Sequence, residues 1–182
     1  MDEDKRLYKD FLNGNKKSFE VLIDKYIEKI IYFIYGFVKN YDIAEDLAQD
    51  VFMYLLVNRE KYNFNYSFKT YIFLIAKSRA FDYLKSSRFR HEILVEFYKD
   101  EDEANQIEDV VFENIRNKNL QKAISNLNNN QRQAVYLAKI EDMKIKEISQ
   151  ILNISENNVK ILIHRGIKNL RKIIGEESDL YV

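Results

Sequence analysis

With 182 residues, of which 46% are hydrophobic and 32% charged, the chain can form one ordinary domain or two small ones with buried cores. The absence of cysteine excludes disulfides and thiolate metal sites, and the two histidines, His91 and His164, lie too far apart in sequence to suggest a histidine-based catalytic or metal site. Proline is absent and only four glycines occur, a composition that favours an all-α fold, and the net charge is zero.

The charge is unevenly distributed along the chain. Asp and Glu dominate residues 98–115, Lys and Arg dominate the block that follows, and the last residues are acidic again. This pattern predicts a helical domain over 1–97, an acidic linker over 98–115, a second helical domain over 116–175 and an acidic tail over 176–182. The basic block is typical of nucleic-acid binding, although a solvated helical surface is the alternative.

Neither the N-terminal stretch nor the longest apolar run suggests a membrane segment. The N-terminal stretch MDEDKRLYKD is polar and acidic, unlike a signal peptide. The longest apolar run, residues 30–38, is far shorter than the roughly 20 residues that span a bilayer. We therefore expect a cytoplasmic protein without membrane insertion.

The first two predicted helices cover 18–38 and 42–57. Apolar residues recur at helical spacing over 18–38, with Ser18 as the expected N-cap, and the chain turns at 39–41. For the second helix we expect Asp42 as the cap, paired with Glu45 in a capping-box-like arrangement.

The stretch AEDLAQDVF, residues 44–52, combines an apolar stripe with a polar face. The stripe recurs at the helical period and comprises Ala44, Leu47, Ala48, Val51, Phe52 and Leu55. The polar side chains on the other side are Glu45, Asp46, Gln49 and Asp50. Such a group could bind a metal, perform acid–base chemistry, dock a basic partner, or simply face water.

A loop and a basic helix follow. Residues 61–68, KYNFNYSF, lack helical periodicity and are rich in asparagine and aromatic residues, which predicts a loop. The helix predicted over 69–87 is basic, and aromatic side chains beside amides suit stacking and hydrogen bonding to single-stranded bases. A small satellite core is the alternative for the rings.

The C-terminal block contains the clearest supersecondary pattern. Helices are predicted over 116–127 and Gln131–Ile140, separated by the asparagine run 128–130. Over 144–172 a short helix ends at Asn153, which tolerates the left-handed conformation, and Ser155 is the expected N-cap of a longer helix. The predicted inward-facing residues of that helix are Val159, Leu162, Ile163, Ile167, Leu170 and Ile174. The pair forms a predicted helix-turn-helix whose second helix presents polar and basic groups, as DNA recognition requires.

These blocks, in this order, resemble conserved regions two and four of the extracytoplasmic-function (ECF) type of bacterial sigma factor. The first block comprises SFEVLIDKY, AEDLAQDVF and YNFNYSFKTYIFLIAKSRAFDYLKSSR, and the second is LQKAISNLNNNQRQAVYLAKIEDMKIKEISQILNISENNVKILIHRGIKNLRK. The resemblance covers roughly residues 18–90 and 118–172. It implies an all-α protein of two small domains that directs promoter recognition, DNA melting and transcription initiation.

The resemblance also implies three sets of contact residues. The set expected to dock on the clamp helices of the largest subunit of core RNA polymerase is Glu45, Asp46, Gln49 and Asp50. The set expected to open and bind the minus-ten element is Tyr62, Asn63, Phe64, Asn65, Tyr66, Ser67, Lys69, Tyr71, Lys77, Ser78, Arg79, Lys85 and Arg88. The set expected to contact the minus-thirty-five duplex is Asn157, Lys160, Ile161, His164, Arg165 and Lys168.

Some positions depart from the family pattern. Tyr71 stands where the family usually has tryptophan, and Ser78 stands where it usually has asparagine, whose amide reaches further than a hydroxyl. Ile161 and Leu162 replace the usual Ser-Arg pair, so we expect unusual minus-thirty-five specificity. Ile161 either contacts thymine methyl groups or packs inside the domain.

The resulting prediction is a non-enzymatic sigma factor without cofactor or metal. Its expected partners are core RNA polymerase and promoter DNA, both duplex and single-stranded, with an anti-sigma factor as a further partner. The alternatives are a stand-alone, dimeric helix-turn-helix regulator and a metal-dependent enzyme acting on nucleic acid.

Overall fold

The computed structural model describes residues 2–97 and 127–178, and within these ranges the regular structure is helical, without a strand. The chain divides into two compact units, Met1–Glu108 and Asp109–Val182. The first contains α1 (Glu3–Leu12), α2 (Lys16–Val38), α3 (Tyr41–Val57), a 3₁₀ turn (Arg59–Lys61) and α4 (Phe68–Phe97). The second contains α5 (Asn129–Val135), a π-helical segment (Tyr136–Ile140), α6 (Ile145–Leu152) and α7 (Glu156–Ser178).

The predicted all-α fold is confirmed. The predicted linker over 98–115 and all but the last residue of the helix predicted over 116–127 lie outside the described residues, so the domain boundaries stay a prediction. None of the helices in the described part of the chain has an apolar stretch that could cross a membrane.

In the first unit, α2 packs against α1, α3 and α4. Its core is rich in rings: Phe33 of α2 and Phe73 of α4 meet edge to face with centroids 5.0 Å apart, and Tyr26 meets Phe68 at 5.6 Å. Each fully buried side chain of this size stabilises the fold by about 1.5–3 kcal/mol relative to an exposed one. The aromatic packing therefore fixes where the first part of α4 lies against α2.

Helix α1 is absent from our sequence prediction, which assigns no element before residue 18. Its charged residues leave few apolar positions, yet Tyr8 is 0% and Phe11 3% exposed because they pack against residues distant in sequence. Tyr8 contacts the rings of Tyr62 and Phe68, and Phe11 stacks on Phe19 with centroids 4.4 Å apart. The apolar residues Leu7, Tyr8, Phe11 and Leu12 recur at helical spacing, a signal that the sequence prediction did not use.

Two predicted caps are wrong. Ser18 is a buried residue inside α2, which begins earlier, at Lys16. At α3 the cap is Asn40, whose extended backbone lets its Oδ1 accept a hydrogen bond from the Ile43 amide at 3.0 Å. Asp42 instead lies in the first turn of α3, where its negative charge interacts favourably with the positive end of the helix dipole.

Helix α4 is longer than predicted. It begins at Phe68, one residue before the expected start, and continues past 87 to Phe97. The 3₁₀ turn takes up the first residue of the predicted loop, so the loop narrows to 62–67. We call this segment loop 62–67.

The predicted helix-turn-helix is confirmed. Helix α6 covers Ile145–Leu152, and Asn153 adopts the left-handed conformation at φ 56° and ψ 48°. The Ser155 hydroxyl accepts a hydrogen bond from the Asn158 amide at 3.2 Å, as an N-cap does. The helix predicted over Gln131–Ile140 begins two residues earlier and becomes π-helical from Tyr136, with Asn128 as its cap.

Helix α7 crosses α5 closely at Gly166. A Cβ atom at Gly166 would lie 2.6 Å from Val135 Cγ2, well inside van der Waals contact. One turn on, the Asn169 Nδ2 amide donates to Gln131 Oε1 at 3.1 Å. Gly166 therefore sets how near the helix-turn-helix lies to α5.

We expect Gly166→Ala to lower the free energy of unfolding of the second unit by roughly 1–2 kcal/mol, because overpacking exceeds the gain in helix propensity. Val135 cannot rotate away cheaply, since valine is stiff at χ1. Amide hydrogen exchange should accelerate in α5 and α7 but not in α2. The control is Lys168→Ala on an exposed position of α7. Unchanged exchange in the glycine variant would contradict the tight crossing.

Candidate functional site

Helix α3 has the two faces that the sequence predicts. Ala44, Ala48 and Val51 are fully buried, whereas Glu45, Asp46, Gln49 and Asp50 are exposed. Leu47, expected in the buried stripe, is only half-buried. The negative charge of Glu45 adds to burial in raising the pKa of Tyr41 at the start of the helix. The acidic groups thus form a solvent-facing surface fixed on a rigid helix, which we call the α3 face.

The α3 face continues into apolar side chains that the sequence analysis missed. Met53, Leu56 and Val57 are 56%, 44% and 75% exposed, and they lie three to seven residues beyond Asp50 on the same helix. Met53 follows Gln49 by four residues, and Leu56 and Val57 follow Gln49 and Asp50 by seven. This helical spacing could have placed them on the same face from the sequence alone. In the described ranges, no three His, Asp or Glu side chains gather closely enough to hold a metal ion.

Loop 62–67 is a tight turn with exposed rings. The Asn63 Oδ1 atom accepts from the Asn65 amide at 3.0 Å, and the Tyr66 amide donates to the Asn63 carbonyl at 3.2 Å. Phe64 and Tyr66 keep 38% and 40% of their surface exposed. Asn65 is also exposed, so rings and amides face solvent together.

Tyr62 lies elsewhere than expected. It is 5% exposed, packs against Tyr8 and Tyr71 at centroid distances of 5.0 Å, and donates its hydroxyl to the Tyr66 carbonyl at 2.8 Å. Burial raises the pKa of Tyr62 above its ordinary range, so the phenol stays neutral and remains a donor. Its side chain supports the loop from inside and cannot stack on a base, which corrects its assignment as a contact residue.

Ser67 also has an internal role. Its Oγ accepts from the Thr70 amide at 3.0 Å and lies 2.7 Å from Thr70 Oγ1, which caps the start of α4. A serine is a preferred N-cap because its short side chain reaches these amides. Ser67 therefore fixes the end of the loop, and its hydroxyl is engaged within the protein.

The predicted contact residues of α4 differ in exposure. Ser78 and Lys85 are exposed, and Lys69 and Tyr71 are half-buried. The Lys77 amino group lies 5.4 Å from the Phe81 ring centroid, and burial lowers the pKa of Lys77.

Arg79 stacks on a ring of the neighbouring helix. Its guanidinium carbon lies 5.0 Å from the Tyr54 ring centroid, and its side chain is half-buried. Arg88 belongs to α4, but its side chain lies outside the described residues. Loop 62–67 leads directly into α4, and Lys77, Ser78 and Lys85 extend the candidate DNA-binding surface along that helix.

Helix α7 presents one polar surface to solvent. The exposed positions include every residue predicted to contact the minus-thirty-five duplex, namely Asn157, Lys160, Ile161, His164, Arg165 and Lys168. Ile161 is 38% exposed, so its side chain is accessible to a ligand, whereas Leu162 is half-buried and Val159 fully buried.

Both blocks match one protein family. Residues 22–90 match Sigma-70 region 2, and residues 117–170 match Sigma-70, region 4. The ECF RNA polymerase sigma factor SigW of Bacillus subtilis is 29% identical over 183 residues, which span 92% of this chain and 95% of SigW. SigX of the same organism, also an ECF sigma factor, is 30% identical over 164 residues, which span 86% of this chain and 84% of SigX.

A solved structure shares the fold. The sigma factor RpoE of Bartonella quintana, crystallised in complex with the anti-sigma factor NepR, superposes with a TM-score of 0.68 at 18% identity, over 87% of this chain and 98% of RpoE. The two region matches and the 30% identity to SigX agree with the geometry of α3, loop 62–67 and the helix-turn-helix. The chain belongs to the ECF family of RNA polymerase sigma factors.

Proposed function

We propose that this sigma factor docks on core RNA polymerase through the α3 face, holds the opened minus-ten element at loop 62–67 and α4, and contacts the minus-thirty-five duplex with α7. It acts in the cytoplasm, has no catalytic activity of its own and uses no cofactor. The observation that carries the proposal is the pair of exposed rings, Phe64 and Tyr66, on a turn whose backbone is fixed. A stand-alone duplex-binding regulator has no need of such a turn.

The α3 face suits a basic partner helix. Asp46 and Asp50 lie one helical turn apart and flank Gln49, so carboxylates and an amide can accept charge-assisted hydrogen bonds from lysine or arginine. This chemistry fits the clamp helices of the largest polymerase subunit. The glutamine adds a donor that two carboxylates lack.

Loop 62–67 suits unpaired bases. Exposed aromatic rings stack on bases of any sequence, worth about 1–3 kcal/mol per base, and the exposed amides of Asn63 and Asn65 can bond to base edges. The cations of α4, among them Lys69, Lys77 and Lys85, follow the loop and can bind the phosphates of the same strand. A base extruded from the duplex is the ligand that this combination fits.

Helix α7 suits the major groove. Its N-terminal half carries Asn157, Lys160 and His164 on an exposed surface, while its buried side holds it in the second unit. The exposed Ile161 can contact thymine methyl groups. We therefore expect a minus-thirty-five element that contains thymine opposite Ile161.

An anti-sigma factor completes the proposed set of partners. RpoE, which shares the fold, was crystallised with the anti-sigma factor NepR. A protein that covered the apolar end of the α3 face, around Met53 and Val57, would compete with core polymerase and hold the sigma factor inactive.

Reconstituted transcription tests the proposal. Core RNA polymerase, this protein and a library of duplex fragments with randomised promoter positions are incubated with nucleotides, and the RNA is sequenced. The expected result is RNA that starts at a fixed distance from two enriched elements, and only when the protein is present. Protection of a two-fold symmetric duplex site without polymerase would instead support the stand-alone regulator.

Arg165→Ala is expected to weaken binding of the selected minus-thirty-five duplex and to reduce the dependence of log K on log salt by about 1, because one phosphate contact is lost. Binding of the holoenzyme to the duplex is titrated at several salt concentrations. Lys139→Ala, an exposed cation of the second unit outside α7, is the control and should leave the slope unchanged. An unchanged slope in the Arg165 variant would show that Arg165 does not contact a phosphate.

A further inference from the structure

We propose that α1 is a positioning element for loop 62–67, holding it in the shape that accepts DNA; the inference rests on the function proposed for that loop. Helix α1 precedes residues 22–90, the part of the first unit that matches Sigma-70 region 2. It nevertheless contacts the middle of the loop, its first residue and the residue that directly follows it. The contacts are made by Lys5 and Tyr8.

Lys5 holds the middle of the loop. Its Nζ donates a hydrogen bond to the Phe64 carbonyl at 2.6 Å, across 59 positions of sequence. A hydrogen bond from an ammonium group is stronger than one between neutral groups. Because Phe64 lies between Asn63 and Asn65, the bond fixes the peptide that orients both the exposed ring and the following amide.

Tyr8 holds the two ends of the loop. Its hydroxyl donates to the Arg59 carbonyl at 3.1 Å in the 3₁₀ turn that leads into the loop. Its ring meets Tyr62 edge to face at 5.0 Å and lies 5.2 Å from Phe68, the first residue of α4. The entry and the exit of the loop thus share one buried side chain of α1.

Helix α1 is itself anchored to α2. Asp4 is 5% exposed and accepts hydrogen bonds from Lys25 Nζ and from the Tyr26 hydroxyl, both at 2.5 Å. The hydrogen bond to Asp4 raises the pKa of Lys25. Lys5 is the next residue after Asp4, and it therefore extends from a fixed point.

This arrangement prepares the loop before DNA arrives. Tyr62, which packs against Tyr8, donates its hydroxyl to the Tyr66 carbonyl at 2.8 Å. The carbonyls of both residues with exposed rings therefore accept hydrogen bonds, that of Phe64 from Lys5 and that of Tyr66 from Tyr62. A loop already in its bound shape loses less conformational entropy on capturing a base. Loss of the Lys5 bond should thus weaken single-strand capture without affecting the α3 face or α7.

The experiment compares Lys5→Met, which keeps an unbranched side chain but removes the donor, with Lys9→Met on an exposed position of the same helix. The full chain is assembled with core polymerase, and the probes are the selected promoter's unpaired minus-ten strand and its minus-thirty-five duplex. We expect Lys5→Met to weaken strand binding about threefold to tenfold, with duplex and core binding unchanged. Lys5→Arg, which restores a cationic donor, should recover most of the loss.

Hydrogen exchange provides a readout independent of DNA. In Lys5→Met, amides of loop 62–67 should exchange faster than in the parent chain, while those of α2 and α3 keep their protection. Equal loop exchange and equal strand binding in the Lys5→Met and Lys9→Met variants would overturn the positioning role. If the parent holoenzyme does not bind the strand, the function proposed for the loop fails, and loop exchange alone then decides whether α1 positions it.

Discussion

Asp50→Lys is expected to weaken binding to core RNA polymerase by roughly 30-fold or more, equivalent to about 2 kcal/mol. Asp50 lies near the middle of the exposed part of α3, between the acidic residues and the apolar end around Met53. Reversing its charge removes an acceptor and sets a cation against the basic partner. Fluorescence anisotropy of labelled sigma factor titrated with core polymerase measures the affinity.

Asp24→Lys is the matched control, since it reverses an exposed charge on α2 of the same unit. It should bind core polymerase within about twofold of the parent chain, because long-range charge effects are screened beyond roughly 10 Å at ordinary ionic strength. Equal losses in the two variants would show that net charge, and not the α3 face, governs the affinity. Unchanged binding of core polymerase by both variants would show that Asp50 is not part of the interface.

The features that the sequence predicted depend on short-range order. The two faces of α3 follow from helical periodicity alone, and Ala44, Ala48 and Val51 are buried as their spacing requires. The turn of the helix-turn-helix follows from the residue types at Asn153 and Ser155, whose backbone and hydroxyl act within a few residues. Local signals of this kind survive in any tertiary context.

The caps show where local signals become ambiguous. Asn40 and Asp42 are both competent N-caps close to the same helix start, and the sequence prediction chose the wrong one. The choice is made by backbone geometry, because Asn40 is extended at φ −136° and ψ 126° after the left-handed Lys39. That geometry depends on how α2 and α3 pack, which the residue types at the helix start do not indicate.

Long-range contacts account for the larger omission. The spacing of the apolar residues in 3–12 places Tyr8 on a buried helix face, but no local pattern indicates that Lys5 and Tyr8 bond to carbonyls more than 50 positions away. The same limit applies to Tyr62, which has the residue type of a stacking contact but is used inside the unit. Residue type identified the loop's chemistry, and packing decided which of its side chains face solvent.

Phe64 and Tyr66 carry the only exposed rings in loop 62–67, so replacing both should have a large effect on promoter opening. The double variant Phe64→Ala, Tyr66→Ala is expected to lower promoter opening roughly tenfold to a hundredfold, because stacking contributes about 1–3 kcal/mol per base. Permanganate reactivity of unpaired thymines in the selected promoter measures opening. Core binding should stay unchanged, because neither residue belongs to the α3 face.

Two controls separate stacking from other uses of these rings. Tyr66→Phe keeps the aromatic face and loses only the hydroxyl, so opening should stay close to that of the parent chain. Replacing both residues with leucine keeps apolar volume but removes the π face, and opening should fall nearly as far as in the alanine variant, since stacking and not burial holds the base. Full opening with leucine at both positions would show instead that the loop acts as an apolar wedge. Full opening with alanine at both positions would show that loop 62–67 does not capture the minus-ten element.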